Sequence, residues 1–531
     1  MKYFGWIFLF FIMLYIVPLG SRPMLFPTEF DHAAIAKEMV ETGSYATVMI
    51  NGDAAAEIPP MAYWLTAGSF KLFGVNNFAA RLPSALAAGI TALLIALLVR
   101  QHLRDEKLAA LTATVYLSFL LVLFIGSISQ VTMIFIMAVT GTLGTTFLAV
   151  QEPKFNRRKL LLLVLSGLSA GLGFLTDGMP ALVLPLLVII PYLVISGKLK
   201  ELLYILPITL ICAAIPVTPW LMQMTLEPET FDRFFSFTAF KESIGTLPWY
   251  LYILELAAGT FPVWILLPAA LMTGRESWKK MFHQDLSQFA GCLLIMPMLY
   301  FLIFRNGYGS TLLISFPAIA LITAMGLQAY FNNGGHHRSF DWMLNIWALL
   351  LLICGLTSVI LWFIPGAVQV CFKYLPLDQV VLLVWGVTAL IGGSVLLYSK
   401  GGSWRSRLYL FLFTVAILPL GFSWCLRPCA VMPEETVTSL IEETCIIPAK
   451  SVIYTDAELL PLVSWCADKN IVIRDIGEFN GKDLTDKDNT VCIIKTSEDP
   501  AWMTLPVADC LKTRGIFTCA VYPAANQEST R

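Results

Sequence analysis

Residues 131–150 read VTMIFIMAVTGTLGTTFLAV, twenty positions without one charged side chain. A helix of that length rises about 30 Å, the thickness of the hydrocarbon core of a bilayer. Twelve more stretches of this kind flank it, starting near Phe4, Pro83 and Leu108 before it, and near Leu160, Met179, Leu202, Trp249, Ser287, Thr311, Trp342, Val380 and Leu408 after it. The reading is therefore an all-α membrane protein of about thirteen transmembrane helices. The first stretch lacks a small-residue cleavage site and is read as a retained helix.

Composition agrees. Of 531 residues, 57% are hydrophobic and 13% charged, with a mean hydropathy of +0.74 and a net charge of -1. Soluble enzymes carry roughly twice that share of charge, and a near-neutral chain offers no surface for a polyanion, so nucleic acid is excluded as a partner. With the N-terminus inside, the short cytoplasmic connections hold seventeen Lys and Arg, against eight in the longer opposite loops. That asymmetry predicts a cytoplasmic N-terminus and an extracytoplasmic tail in the plasma (inner) membrane.

Three external regions are large enough for chemistry: 20–82, 225–247 and the tail 425–531, with 1–424 as the transmembrane domain. In the tail, Ser451–Tyr454, Ile471–Arg474, Val491–Ile494 and Gly515–Tyr522 are strand-like, and a helical pattern runs from Ala457 to Ala467, which predicts a small α/β domain. No Gly-rich phosphate fingerprint follows those strands. Seven of the eleven cysteines lie there, and buried or disulfide-bonded cysteines suit them better than a zinc pattern.

The first external loop carries most of the information. Thr28 and Asp31 resemble a capping box, Ile35 and Met39 share a helical face, and Gly43 suits the position just past a helix end. A second helical pattern starts after Pro59-Pro60 and runs through Tyr63 and Trp64, residues that favour the membrane interface. The loop is predicted to form two short helices on the outer membrane surface.

Four stretches carry a family resemblance: FPTEFDHAAIAKEM, EIPPMAYWLTAGSFKLFGVNNFAARLPSALAAG, GLSAGLGFLTDGMPALVLP and GTLPWYLYILELAAGTFPVWILLPAAL. They resemble the aminoarabinose transferase (ArnT-like) family, allied to the protein O-mannosyltransferases in the GT-C glycosyltransferase superfamily. The resemblance implies thirteen spans and an external α/β tail. It also implies transfer of a sugar from a polyprenyl-phosphate donor to a lipid A, envelope glycan or protein acceptor, with a first-loop carboxylate assisting and basic residues holding the phosphate.

Several positions depart from that pattern. The family's acidic pair falls on Thr28-Glu29, its following arginine on Asp31, and its lysine before the prolines on Ile58, with Glu57 retained. An expected arginine and aspartate fall on Ser127 and Thr132. The LTKGP-like turn reads Leu175-Thr176-Asp177-Gly178-Met179, and an expected lysine falls near Gly307.

The candidate catalytic residues are accordingly Glu29, Asp31 and Glu57. Substrate binding is assigned to His32, Tyr63, Lys241 and Arg305, the last two as cations for the donor phosphate. Glu29 and Asp31 together also suit a divalent metal ion. Arg81 is read as structural, and Glu255, inside the eighth span, as a costly membrane carboxylate. Two function classes follow. The first is an integral membrane glycosyltransferase using a lipid-linked sugar; the alternative is a non-catalytic relative that binds a lipid or a partner protein.

Overall fold

The computed structural model describes residues 2–21, 24, 28–45, 48–50, 53–54, 58–224, 249–266, 284–304, 309–332, 337–363, 379–399, 404–425, 451–455, 459–466, 471–475, 490–496, 510–514 and 517–522. Glu57, Lys241, Arg305 and all of the loop 225–247 lie outside them.

Helices dominate. α1 (Lys2–Phe11) leads into the first long loop, which holds α2 (Thr28–Thr42), a small hairpin of β1 (Met49–Ile50) and β2 (Asp53–Ala54), and α3 (Met61–Phe73). Then follow α4 (Asn77–Leu103), α5 (Glu106–Leu117), α6 (Leu120–Gly126), α7 (Val131–Gln151), α8 (Arg157–Asp177), α9 (Pro180–Ile195) and α10 (Leu202–Met224). The second half contributes α11 (Trp249–Gly259), α12 (Asp285–Phe304), α13 (Phe316–Asn332), α14 (His337–Phe363), α15 (Gln379–Tyr398) and α16 (Trp404–Cys425).

Among the described residues, seven helices are long and apolar enough to cross a membrane, or eight if the bent pair α5 and α6 counts as one span. Four shorter apolar helices accompany them. The third predicted span is thus not one straight helix: α5 and α6 meet at 68°. The cause is local. The Ser118 hydroxyl donates to the Thr114 carbonyl at 2.7 Å, and Phe119 then adopts extended backbone, which ends the hydrogen-bond ladder.

Close approach of helices rests on glycine. A Cβ on Gly167 would lie 2.6 Å from the Thr209 carbonyl oxygen, and one on Gly171 would collide with the Ala213 carbonyl, so the GxxxG face of α8 lets α10 lie directly on its backbone. Gly355 of α14 and Gly386 of α15 meet the same way, each facing the other's carbonyl. Packing of this kind replaces the hydrophobic drive that lipid cannot supply between two apolar helices. Large apolar side chains such as Leu203, Ile211 and Trp342 point outward, as lipid-facing positions do.

Both first-loop helices form as expected. Gly43 sits just past α2 with φ +73°, and its N–H donates to the Met39 carbonyl at 3.1 Å, a left-handed stop that glycine adopts without strain. Pro60 caps the start of α3, where a missing N–H costs nothing.

In the tail, β3 (Ser451–Thr455), β4 (Ile471–Asp475), β5 (Thr490–Thr496), β6 (Cys510–Arg514) and β7 (Phe517–Tyr522) make one sheet of order β4-β3-β5-β7-β6. β3 runs parallel to β4 and β5, while β7 is antiparallel to β5 and β6. The short α17 (Leu460–Cys466) lies between β3 and β4 in sequence. α17 rests on the first loop: Lys37 Nζ donates to the Trp465 carbonyl at 3.0 Å, and the Trp465 and Phe70 rings lie 5.9 Å apart. β6 was not anticipated; its CLKTR pattern has too little apolar alternation to read as a strand, and its pairing with β7 supplies the order instead.

Candidate active site

The first loop is anchored by a charge. Glu29, in the first turn of α2, is fully buried, and so is Arg81 near the start of α4. They form a bidentate pair, Arg81 Nε to Glu29 Oε1 at 2.8 Å and Arg81 Nη2 to Glu29 Oε2 at 3.0 Å. Arg81 Nη1 also donates to the Leu19 carbonyl at 3.0 Å, and the Ser129 backbone N–H donates to Glu29 Oε1 at 2.9 Å. A buried carboxylate survives only with such partners, because desolvating an unpaired charge costs several kcal/mol. The pair therefore ties three chain segments together: the end of the first helix, the first loop and the turn before α7.

Ser129 continues the network. Its hydroxyl shares a 2.9 Å hydrogen bond with His32 Nδ1, and the His32 ring stacks on Tyr63 of α3 with centroids 4.7 Å apart. His32 is 5% exposed, and its Nε2 has no hydrogen-bond partner among the described residues. Burial drives the His32 pKa down to about 4, partly opposed by the nearby Glu29 charge. The imidazole is thus neutral at physiological pH.

That shift makes a pH prediction. Between the ordinary histidine value near 6.5 and about 4, the unfolded chain binds a proton that the folded chain refuses, so stability falls as pH drops through this window. The full contribution is about 3 kcal/mol. Thermal unfolding in detergent, compared at pH 7.5 and 4.5, is expected to show a smaller acid-induced drop for His32→Gln than for the wild type. An equal drop in both assigns the acid sensitivity elsewhere.

Asp31 points the other way. Residues two apart on a helix are rotated by about 200°, so Glu29 faces the core while Asp31 is exposed. The expected Glu29–Asp31 metal pair is therefore not assembled: Glu29 is committed to Arg81 and Ser129, and the two carboxylates do not share a face. Among the described residues, no three His, Cys, Asp or Glu side chains group closely enough to hold a metal ion. Partial desolvation still raises the Asp31 pKa.

Tyr63 links the two sides. It is 8% exposed, with its pKa raised to about 12 by burial first and then by the negative charges of Asp31 and Asp177. The phenol consequently stays protonated. Asp177, the last residue of α8, thus joins the first loop at one end of the helix bundle.

Of the residues expected in the site, the structure brings together Glu29, His32 and Tyr63 around the start of α2 and α3, and leaves Asp31 on the exposed face of α2. Glu57, Lys241 and Arg305 fall outside the described residues. Arg81, Ser129 and Asp177 were missed as members. Arg81 had a readable signal: an arginine at the head of an apolar helix requires a counter-charge, and Glu29 was available. Ser129 had none, because its contribution is a backbone N–H and a hydroxyl presented by a turn. Glu255 is half-buried on α11, and the described residues give it no partner in this site.

Comparison with known proteins adds a family context. Residues 57–222 match the family described as dolichyl-phosphate-mannose-protein mannosyltransferase. An undecaprenyl phosphate-alpha-4-amino-4-deoxy-L-arabinose arabinosyl transferase of Aeromonas hydrophila is 30% identical over 461 residues, covering 85% of this chain and 81% of that protein. The enzyme of the same name in Aeromonas salmonicida is 28% identical over 512 residues, covering 93% and 90%. Among solved structures, apo ArnT from Cupriavidus metallidurans superposes with a TM-score of 0.79 at 18% identity, covering 99% of each chain. The alternative of a non-catalytic relative gains no support from these proteins, which carry transferase names.

Proposed function

Since this chain belongs to the family of undecaprenyl phosphate-alpha-4-amino-4-deoxy-L-arabinose arabinosyl transferases, we propose that it is a multi-pass membrane glycosyltransferase that moves a sugar from a polyprenyl-phosphate donor to an envelope acceptor on the extracytoplasmic side. The thirteen-span topology belongs to this reading, with a cytoplasmic N-terminus and an extracytoplasmic α/β domain from residue 425. So does the division into a transmembrane unit 1–424 and the tail.

The observation that carries the chemistry is the orphaned His32 Nε2, buried beside Tyr63 and held by Ser129. With Nδ1–H donating to Ser129, Nε2 keeps its lone pair and serves as general base. In the transfer step the bond from the anomeric carbon to the phosphate oxygen breaks, and phosphate leaves with the electron pair. The acceptor oxygen bonds to that carbon and its proton passes to His32 Nε2. A donor phosphate nearby favours the imidazolium that results, which offsets the low basicity of the buried ring. Glu29 and Arg81 position His32 through Ser129, Tyr63 stacks on its ring, and Asp31 stands on the exposed face of α2. Glu57, Lys241 and Arg305 remain candidates for the same site, Glu57 for catalysis and the two cations for the phosphate.

The test is a reconstituted reaction. The full chain in proteoliposomes, supplied with undecaprenyl phosphate-aminoarabinose and a lipid A acceptor, is expected to release undecaprenyl phosphate and label the acceptor. Absence of release with this donor and with other polyprenyl-phosphate sugars removes the transferase reading.

A further inference from the structure

The end of the bundle away from the first loop carries charge that the candidate active site does not use. α4 leaves the first loop at Asn77 and ends 27 residues on at Leu103, a rise of about 40 Å. There, between the start of α5, α13 and the start of α16, lies a cavity of about 60 Å³. Leu108, Leu111, Trp404 and Leu408 give it apolar walls, and Lys107 and Gln328 are its polar points. Lys107 is exposed, and its ammonium has no ion-pair or hydrogen-bond partner among the described residues. The two carboxylates beside it are already committed. Asp105 accepts from the Lys107 and Leu108 N–H groups at 2.9 and 3.0 Å and from Gln328 Nε2 at 2.7 Å, while Glu106 pairs with Arg100 at 3.2 Å.

A second cation stands behind the Trp404 wall. Trp404 stacks on Phe331 with centroids 3.9 Å apart, Phe331 meets Phe340 at 4.9 Å, and Asp341, next in the chain, accepts from Arg407 Nη1. Arg407 is 2% exposed, unlike an arginine that snorkels to water, and neither its Nε nor its Nη2 has a hydrogen-bond partner among the described residues. Those two nitrogens form the same edge with which Arg81 grips both oxygens of Glu29. Burying a guanidinium with that edge empty forfeits two charge-assisted hydrogen bonds, a cost that an oxyanion would remove. Arg407 follows Trp404 by three positions and directly precedes Leu408, which puts it on the helix face that walls the cavity.

We propose that the Nε–Nη2 edge of Arg407, with Lys107 at the rim, binds a phosphate group that enters this cavity. A guanidinium edge and a phosphate match as a two-pronged pair. Basic pockets between membrane helices take the head groups of anionic lipids in the same way. The leucine walls suit an acyl chain, so a phospholipid head group and free inorganic phosphate are the two sources of this one chemistry. The site lies at the opposite end of α4 from the buried Glu29–Arg81 pair, and it holds whether or not the chain transfers a sugar.

The experiment is native mass spectrometry of the purified full chain in detergent, titrated with dioctanoyl phosphatidic acid, with dioctanoyl phosphatidylcholine and with inorganic phosphate. The wild type is expected to hold phosphatidic acid about tenfold more tightly than phosphatidylcholine. Arg407→Lys keeps a positive charge for Asp341 but lacks the two-pronged edge, and it is expected to lose that preference. Lys107→Gln, at an exposed position that leaves the fold alone, is expected to weaken phosphatidic acid several-fold and carries the test if the arginine variant does not fold. Arg158→Gln removes an exposed cation paired with Glu152 at the start of α8, and it is expected to change nothing. Inorganic phosphate retained by the wild type and lost in Arg407→Lys keeps the site and assigns it a soluble source. Phosphatidic acid held no better than phosphatidylcholine with no phosphate retained, wild-type retention in Arg407→Lys or Lys107→Gln, or an equal loss in Arg158→Gln overturns the site.

Discussion

Replacing Arg81 by methionine is expected to destabilise the protein by about 3–5 kcal/mol, the cost of stranding a buried charge. The expected loss follows from what the guanidinium does. It satisfies both oxygens of Glu29 at 2.8 and 3.0 Å and a main-chain carbonyl at Leu19, in a place where neither side chain has any exposure. Methionine fills a similar volume but leaves the carboxylate facing apolar helices. Arg81→Lys is expected to fall between wild type and methionine, because an ammonium cannot make the two-pronged contact. The double variant Glu29→Leu, Arg81→Met removes both charges and is expected to recover most of the stability, since a well-packed apolar pair often equals a buried ion pair. Fluorescence-detected size exclusion after a heat ramp reads all four proteins. If the double variant is no better than Arg81→Met alone, the pair acts through something other than charge compensation.

His32→Ala is expected to lower kcat for sugar transfer by roughly 10²–10⁴, the usual worth of a general base. Because His32 stacks on Tyr63, the alanine variant also loosens the neighbouring ring. His32→Gln keeps bulk and hydrogen bonding without basicity, and it separates the two effects: it is expected to retain thermal stability and still lose transfer. Ser129→Ala leaves Nε2 in place but removes the hydrogen bond that fixes the ring. Its expected loss is roughly fivefold, about one neutral hydrogen bond. A His32→Gln protein that transfers sugar at the wild-type rate removes His32 from the chemistry, whatever the alanine variant does.

The membrane architecture was legible because its signal is additive. Twenty uncharged apolar residues, as at 131–150, permit few alternatives, and the helix ends at Gly43 and Pro60 follow from single-residue backbone rules. The break at Ser118 was not legible, since a lone serine in an apolar run is usually tolerated and only its back-bond to Thr114 reveals the end. The site was half readable. Glu29, Asp31, His32 and Tyr63 were named from a short stretch, but their partition was not. Which face of α2 turns inward depends on α4 and the turn at Ser129, so sequence proximity suggested that Glu29 and Asp31 work together when the helix separates them. Asp177 stood out in sequence as a departure from the family pattern; the packing of α3 on α8, the helix it ends, is a tertiary fact.

The three partners in the buried pair leave the ribosome in the order Glu29, Arg81, Ser129. A nascent chain therefore holds a bare carboxylate, and then a bare cation at the head of α4, before the last partner exists. It closes the network only once the turn before α7 has followed. Until then both charges need water. Chains stalled before Ser129 lack the backbone N–H that Glu29 accepts, and their first loop stays unfinished. Maturation of the first loop is in this way timed by synthesis of a segment a hundred residues downstream of Glu29.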